Sequence, residues 1–291
     1  MSKRMKRHTS SRFYGSCVVV GTLLFLIMMV ALHLLRPDFN PLQRFMSEYL
    51  VGSFGFIGAA AVFVLGATFL MLLVGLRISV CSSGFLTASC VLLGVMVISA
   101  CMVAVVPFDD VMLPDGSFPP SFTKGDINHI VFSALLYVLL LALLLTLPSA
   151  YKRDEKWRPF SRVTLFLGFL TLASIVEIIL APFYLRGLAQ RGTFLVILVW
   201  LLLTGLHLRQ AIPESFVKAT LLFVVAVIFV IFVASSVFRI SSSFSTPHRT
   251  NPYLYWGMVV LCFAAGMFSF WRGIVELLTY LRERKTESSL R

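Results

Sequence analysis

Long apolar runs alternate with short polar connections along the whole chain. A helix that crosses a bilayer needs ~20 mostly apolar residues. Eight runs are candidates: Phe13–Leu35, Phe54–Leu76, Gly84–Val106, Ile127–Leu147, Phe160–Pro182, Gly192–His207, Phe216–Phe238 and Leu254–Leu278. The sixth is the shortest, and a start nearer Leu188 would draw Gln190 and Arg191 into the edge of the membrane. The pattern predicts an all-α, polytopic transmembrane bundle of about eight spans.

Lys3, Arg4, Lys6 and Arg7 precede the first run like the basic start of a signal peptide. The run is longer than the ~7–15 residues of a signal core, and no convincing small-x-small cleavage site follows it. An uncleaved first helix is expected. Between the first two spans, Arg36–Ser53 has room for a short helix around Gln43–Leu50. The connection from Pro107 to Gly125 carries Pro114, Pro119, Pro120, Asp109, Asp110 and Asp115, a chemistry that makes turns.

Composition strengthens the membrane reading. Hydrophobic residues make up 58% of the 291 and charged ones 13%, with mean hydropathy +0.91. Soluble domains run near 45–50% apolar and about 25% charged, so one aqueous core could not bury this chain. The net charge of +12 could suggest nucleic acid. In a membrane protein it reflects Lys and Arg held on the cytoplasmic side instead, and no nucleic-acid partner is expected.

The distribution of basic residues sets the orientation. Seventeen Lys and Arg fall on the side of the N-terminus, with five in the segment before Phe13 and five between Lys152 and Arg162. Seven fall on the other side: Arg36, Arg44, Lys124, Arg186, Arg191, Arg239 and Arg249. Both termini are therefore expected in the cytoplasm. The cysteines Cys17, Cys81, Cys90, Cys101 and Cys262 form no CxxC pair and suit buried packing better than disulfides or zinc.

Three short motifs occur in order. Ser47-Glu48-Tyr49 followed by Gly52-Ser53-Phe54-Gly55 enters the second span. Asn128-His129 enters the fourth, and Gly187-Leu188-Ala189-Gln190-Arg191 enters the sixth, with Trp200 beyond it. In these the chain resembles a family of bacterial and archaeal membrane proteins catalogued as domain of unknown function 998. A looser likeness is to eukaryotic six-span proteins of the Frag/Sfk type, which are linked to lipids. The resemblance implies a six-span core at 13–210, between a basic N-terminus at 1–12 and two additional helices at 211–278, with a basic tail at 279–291. It also implies that the membrane is the cytoplasmic (inner) one. It supplies no reaction.

The polar residues of interest gather at the outer ends of spans: Glu48, Asp126, His129, Glu177, Gln190 and Arg191. Asp126 and His129 share a helix face that Ser133 and Tyr137 continue inward. Glu177 lies five residues before Pro182, a depth of ~7–8 Å. Ionisable groups in spans are costly and usually face a protein interior or a wet cavity. Glu48, His129, Glu177 and Arg191 could converge on one outward-facing site. There the carboxylates and imidazole are candidate metal ligands or an acid–base pair, and Arg191 could hold a phosphate or carboxylate. The plainer readings are a Glu177 pair with Arg186 or Arg191, a helix cap at Asp126 and His129, and a first-turn acid at Glu48. His33 and His207 would be interfacial, and Arg272 with Glu276 a local ion pair.

No HExxH, GxSxG, Walker loop or CxxCH occurs. The expected function is a multi-pass membrane protein whose outward polar site binds a lipid or small amphiphile. The alternatives are a membrane-embedded hydrolase, with or without a metal, a transporter, and a structural partner subunit. No particular cofactor is implied.

Overall fold

The computed structural model describes residues 3–106, 108–109, 122–209 and 220, apart from the side chains of residues 3–10 and 183. Six long helices fill them: α1 (Lys3–Leu35), α2 (Gly55–Ser79), α3 (Gly84–Val105), α4 (Lys124–Tyr151), α5 (Arg158–Leu180) and α6 (Arg186–Leu208). A 3-10 helix, η1 (Met46–Leu50), lies between α1 and α2, and a second, η2 (Phe183–Leu185), leads into α6. All six long helices have the length and hydropathy to cross a membrane. Among the described residues there are no strands.

Each helix packs on its neighbours in sequence, and α6 returns to pack on α1. The six therefore close into an up-and-down ring. One end carries η1, η2 and the start of α4. The other, the basic end, carries Arg77, Lys152, Arg153, Lys156, Arg158, Arg162 and Arg209. The core lies along the ring's inner faces, with Phe25, Phe69, Leu72, Met96, Leu144 and Trp200 buried. Phe56, Ile98, Val138, Phe169 and Ile179 point outward and are exposed, as suits helices whose solvent on that side is lipid.

Local sequence explains the helix starts. Ser83 caps α3 by accepting from Leu86 N–H at 3.2 Å. Thr123 and Asp126 form a reciprocal capping box at the start of α4. Gly52, at φ +85°, takes the left-handed turn between η1 and α2. Several span hydroxyls meet their hydrogen-bonding need within their own helices. Thr22, Thr68, Thr146, Thr171, Ser174 and Thr204 each donate to the carbonyl four residues back.

The basic end is tied across the ring. Asp154 accepts from the N–H groups of Cys81 (2.9 Å) and Lys156 (3.0 Å). Trp157 donates from Nε1 to Ser79 at 3.1 Å, and His207 stacks on Phe160 and edges Trp157.

The six expected spans through 210 agree with the helices to within a few residues, except at the starts of the first and the sixth: α1 begins at Lys3, ten residues before Phe13. The sixth begins at Arg186, not Gly192, so Gln190 and Arg191 belong to its first turns. The short helix expected in the first connection is the 3-10 turn η1. Cys17, Cys90 and Cys101 are half-buried and Cys81 is exposed; all four are free thiols. The expected spans Phe216–Phe238, apart from Thr220, and Leu254–Leu278 lie outside the described residues. So do Asp110, Asp115, His248, Cys262, Arg272 and Glu276, and both additional helices and the tail.

Candidate functional site

The motif residues entering α2 and α6 meet. In the first turns of α6, Gly187 presses against the backbone of residues 41–44, where an added Cβ would collide with the carbonyl of Arg44 and lie 2.7 Å from that of Pro41. Leu188 N–H donates to the Leu42 carbonyl at 3.0 Å. Gln190 Oε1 accepts from Met46 N–H at 2.6 Å. Arg191 Nη1 donates to the carbonyls of Arg44 (2.8 Å) and Gly187 (2.9 Å). The Gly-Leu-Ala-Gln-Arg motif is thus a dock for the connection that carries Ser47-Glu48-Tyr49.

The same dock gathers charge and aromatic rings. Arg191 donates from Nε to His33 Nε2 at 3.0 Å, with Nη2 at 2.7 Å from the same nitrogen. His33 Nδ1 lies 2.5 Å from the Met29 carbonyl, so the hydrogen belongs on Nδ1 and Nε2 is the acceptor. Glu48 is 1% exposed; it pairs with Arg44 at 3.0 Å and accepts from Phe45 N–H at 2.8 Å. The Tyr49 ring stacks on His33 and meets Phe39 edge-on, and the Arg36 guanidinium covers Phe39 at 3.8 Å. Burial pushes the Tyr49 phenol above the ordinary tyrosine range. Arg36, bonded bidentately to Asp38, holds that exposed carboxyl below its usual range.

Asp126 and His129 belong to a second group, at the junction of α3 and α4. Asp126 is fully buried. It accepts from Asp109 N–H (2.9 Å), Thr123 N–H (2.9 Å) and the Thr123 hydroxyl (3.0 Å). His129 Nδ1 is 2.6 Å from the Val106 carbonyl, and its ring lies against Phe108. Its Nε2 is buried without a hydrogen-bond partner among the described residues. Glu177, 4% exposed, lies near the far end of α5, where its carbonyl accepts from Ala181 N–H at 2.7 Å.

Of the six residues singled out in the sequence, Glu48, Gln190 and Arg191 therefore share one bonded assembly, while Asp126 and His129 bond separately, to Asp109 and to Val106, at the α3–α4 junction. Sequence reasoning overlooked two members of the first. The signal for Arg44 was its position four residues before Glu48. His33 was expected only as an interfacial residue, and nothing local to it announces Arg191, 158 residues away. Among the described residues, no group of three His, Cys, Asp or Glu side chains is arranged to hold a metal ion.

Behind the dock lies a cavity of ≈ 70 Å³ in the half of the ring nearer η1. Its walls are apolar, with Phe25, Leu65, Phe69, Met96, Leu140 and Phe194 among them. Met46, Ser47 and Leu50 of η1 also line it. From Gln190 to Ile197, or from Ser133 to Leu140, the lining runs ~10 Å along the helix axes. Its polar groups are Ser47, Ser133, Tyr137 and Gln190, and Gln190 Nε2 donates to the Tyr137 oxygen at 3.2 Å. No residue of α5 lines it, so Glu177 stands outside.

Six apolar helices closed around a partly polar cavity define a multi-pass integral membrane protein. The chain belongs to the family described as protein of unknown function (DUF998), whose match spans residues 19–207. No curated protein and no solved structure matches it.

Proposed function

We propose that this protein binds a lipid or small amphiphile in the lumen of its helix ring, with the polar head beneath η1. The cavity carries the reading: its walls are apolar and its polar groups are confined to Ser47, Ser133, Tyr137 and Gln190. Such a gradient fits a molecule with an apolar tail and a polar head. In this reading the basic end faces the cytoplasm and η1 lies at the outer leaflet of the cytoplasmic membrane, following the bias of Lys and Arg. The segments 216–238 and 254–278 add two spans, an even number, which keeps both termini inside.

The self-contained bonding of Glu48 with Arg44 and of Arg191 with His33 favours a second reading, in which the charged cluster serves packing in a partner subunit. The two differ in what the cavity holds. Full-length protein purified in mild detergent should carry an extractable amphiphile, identified by mass spectrometry of the organic extract. Leu136→Trp, which fills the cavity from α4, should lose it while remaining folded. Identical extracts from wild type and Leu136→Trp would refute the binding reading and leave the packing one.

A further inference from the structure

The polar rim of the cavity contains no charge, although charged residues are next to it in sequence. Ser47 lines the cavity while Glu48 is spent on Arg44 and Phe45; in a 3-10 helix consecutive side chains point about 120° apart. Gln190 lines it while Arg191 turns to His33 and the Arg44 carbonyl. Ser133 and Tyr137 line it on one face of α4, while His129, one turn before Ser133, turns its Nδ1 to the Val106 carbonyl.

What the rim offers is hydroxyl protons. The Tyr137 oxygen already accepts from Gln190 Nε2, so its own O–H has no acceptor among the described residues. The hydroxyls of Ser133 and Ser47, which also line the cavity, form no hydrogen bond among the described residues. This departs from the back-bonding of six other span hydroxyls. Ser89 and Thr164 also lack partners, but they do not line the cavity. Three donors at the end of an apolar pocket call for an acceptor. A carboxylate or phosphate would lose its hydration there and find no cation facing it.

We propose that the cavity selects an amphiphile whose head is uncharged and accepts hydrogen bonds, an ester or ketone carbonyl received by the hydroxyls of Tyr137, Ser133 and Ser47. This rests on the amphiphile reading above and narrows its ligand class. The probes are methyl decanoate, decanoate at about pH 9, where the carboxyl is ionised, and decane. Each is titrated against the full chain in detergent micelles, with bound probe counted by native mass spectrometry.

Methyl decanoate should bind at least about tenfold more tightly than decanoate and than decane, and Tyr137→Phe should remove about tenfold of that affinity. Decane binding should not change in Tyr137→Phe. Ser133→Ala breaks no bond within the protein, so it should weaken methyl decanoate without loss of folding even if Tyr137→Phe disturbs the Gln190 contact. Decanoate binding as tightly as its ester, or both variants binding the ester like wild type, would overturn the uncharged-head inference and leave the amphiphile reading standing. No binding of any of the three probes would overturn both.

Discussion

Arg191 sets two guanidinium nitrogens on one imidazole nitrogen, with His33 Nε2 3.0 Å from Nε and 2.7 Å from Nη2. The same guanidinium reaches back to the Arg44 carbonyl at 2.8 Å. One side chain from α6 thereby fastens the end of α1 and the connection that follows it. The charge is partly buried, so losing its partners leaves groups that hydrocarbon cannot solvate.

Arg191→Met should cost about 1.5–3 kcal/mol, the range for hydrogen bonds to a charged group. Arg191→Lys should recover only part, because an ammonium cannot reproduce the planar fork. Thermal unfolding in detergent of these variants, alone and with His33→Phe, checks the assignment. Additive losses from His33→Phe and Arg191→Met would mean that the pair is not coupled.

Gly187 and Gly84 make a matched comparison. A methyl at Gly187 meets backbone carbonyls of Pro41 and Arg44, which cannot swing aside as a side chain would. Gly187→Ala should destabilise by about 1–3 kcal/mol, the usual cost of overpacking. Gly84→Ala, with nothing within 4 Å, should be neutral or slightly stabilising. Equal melting temperatures for the two variants would show that the connection does not need this close approach.

Tyr49 gives the dock a dependence on alkaline pH. Burial raises its phenol above the ordinary value near 10. A raised folded value means that the folded state holds the proton more tightly. Its contribution is fully present below the unfolded value of about 10 and is lost as pH rises through the folded one. Stability should be flat with respect to this group at neutral pH and fall above about pH 10. The fall should be shallower in Tyr49→Phe, as measured by denaturation midpoints across that range.

The proposed orientation is tested by labelling. In a variant lacking the native cysteines, Ser53→Cys should react with a membrane-impermeant thiol reagent added to intact cells. Lys152→Cys should react only after the membrane is opened. The reverse pattern would put η1 and the cavity mouth on the cytoplasmic side.

The spans were legible because a bilayer imposes a length and a hydropathy on each helix separately. Four of the six described helices, α2 to α5, agree with the apolar runs at both ends to within a few residues, and α1 adds ten residues of basic, polar sequence ahead of its run. The sixth run is short because Gln190 and Arg191 interrupt the apolar pattern at its start. The ring accommodates them: it gives Gln190 a partner in Met46 and Arg191 one in His33. The capping of α4 by Thr123 and Asp126 was also within reach of local pattern, since both partners lie in one turn.

The sequence by itself determined that this is a helical membrane protein, and that its motifs stand at helix entries. It identified polar residues at those entries without saying which of them meet. Tertiary structure decided that Glu48 and Arg191 enter one assembly through Arg44, that Asp126 and His129 bond instead to Asp109 and Val106 beyond the end of α3, and that Ser133 and Tyr137 face a cavity. Hydropathy is a property of one segment and survives any rearrangement of its neighbours. A contact between helices depends on the rotation of each about its axis, about 100° per residue. That rotation is fixed by packing against the other helices of the ring, so neighbours such as Gln190 and Arg191 acquire different surroundings only when the ring closes.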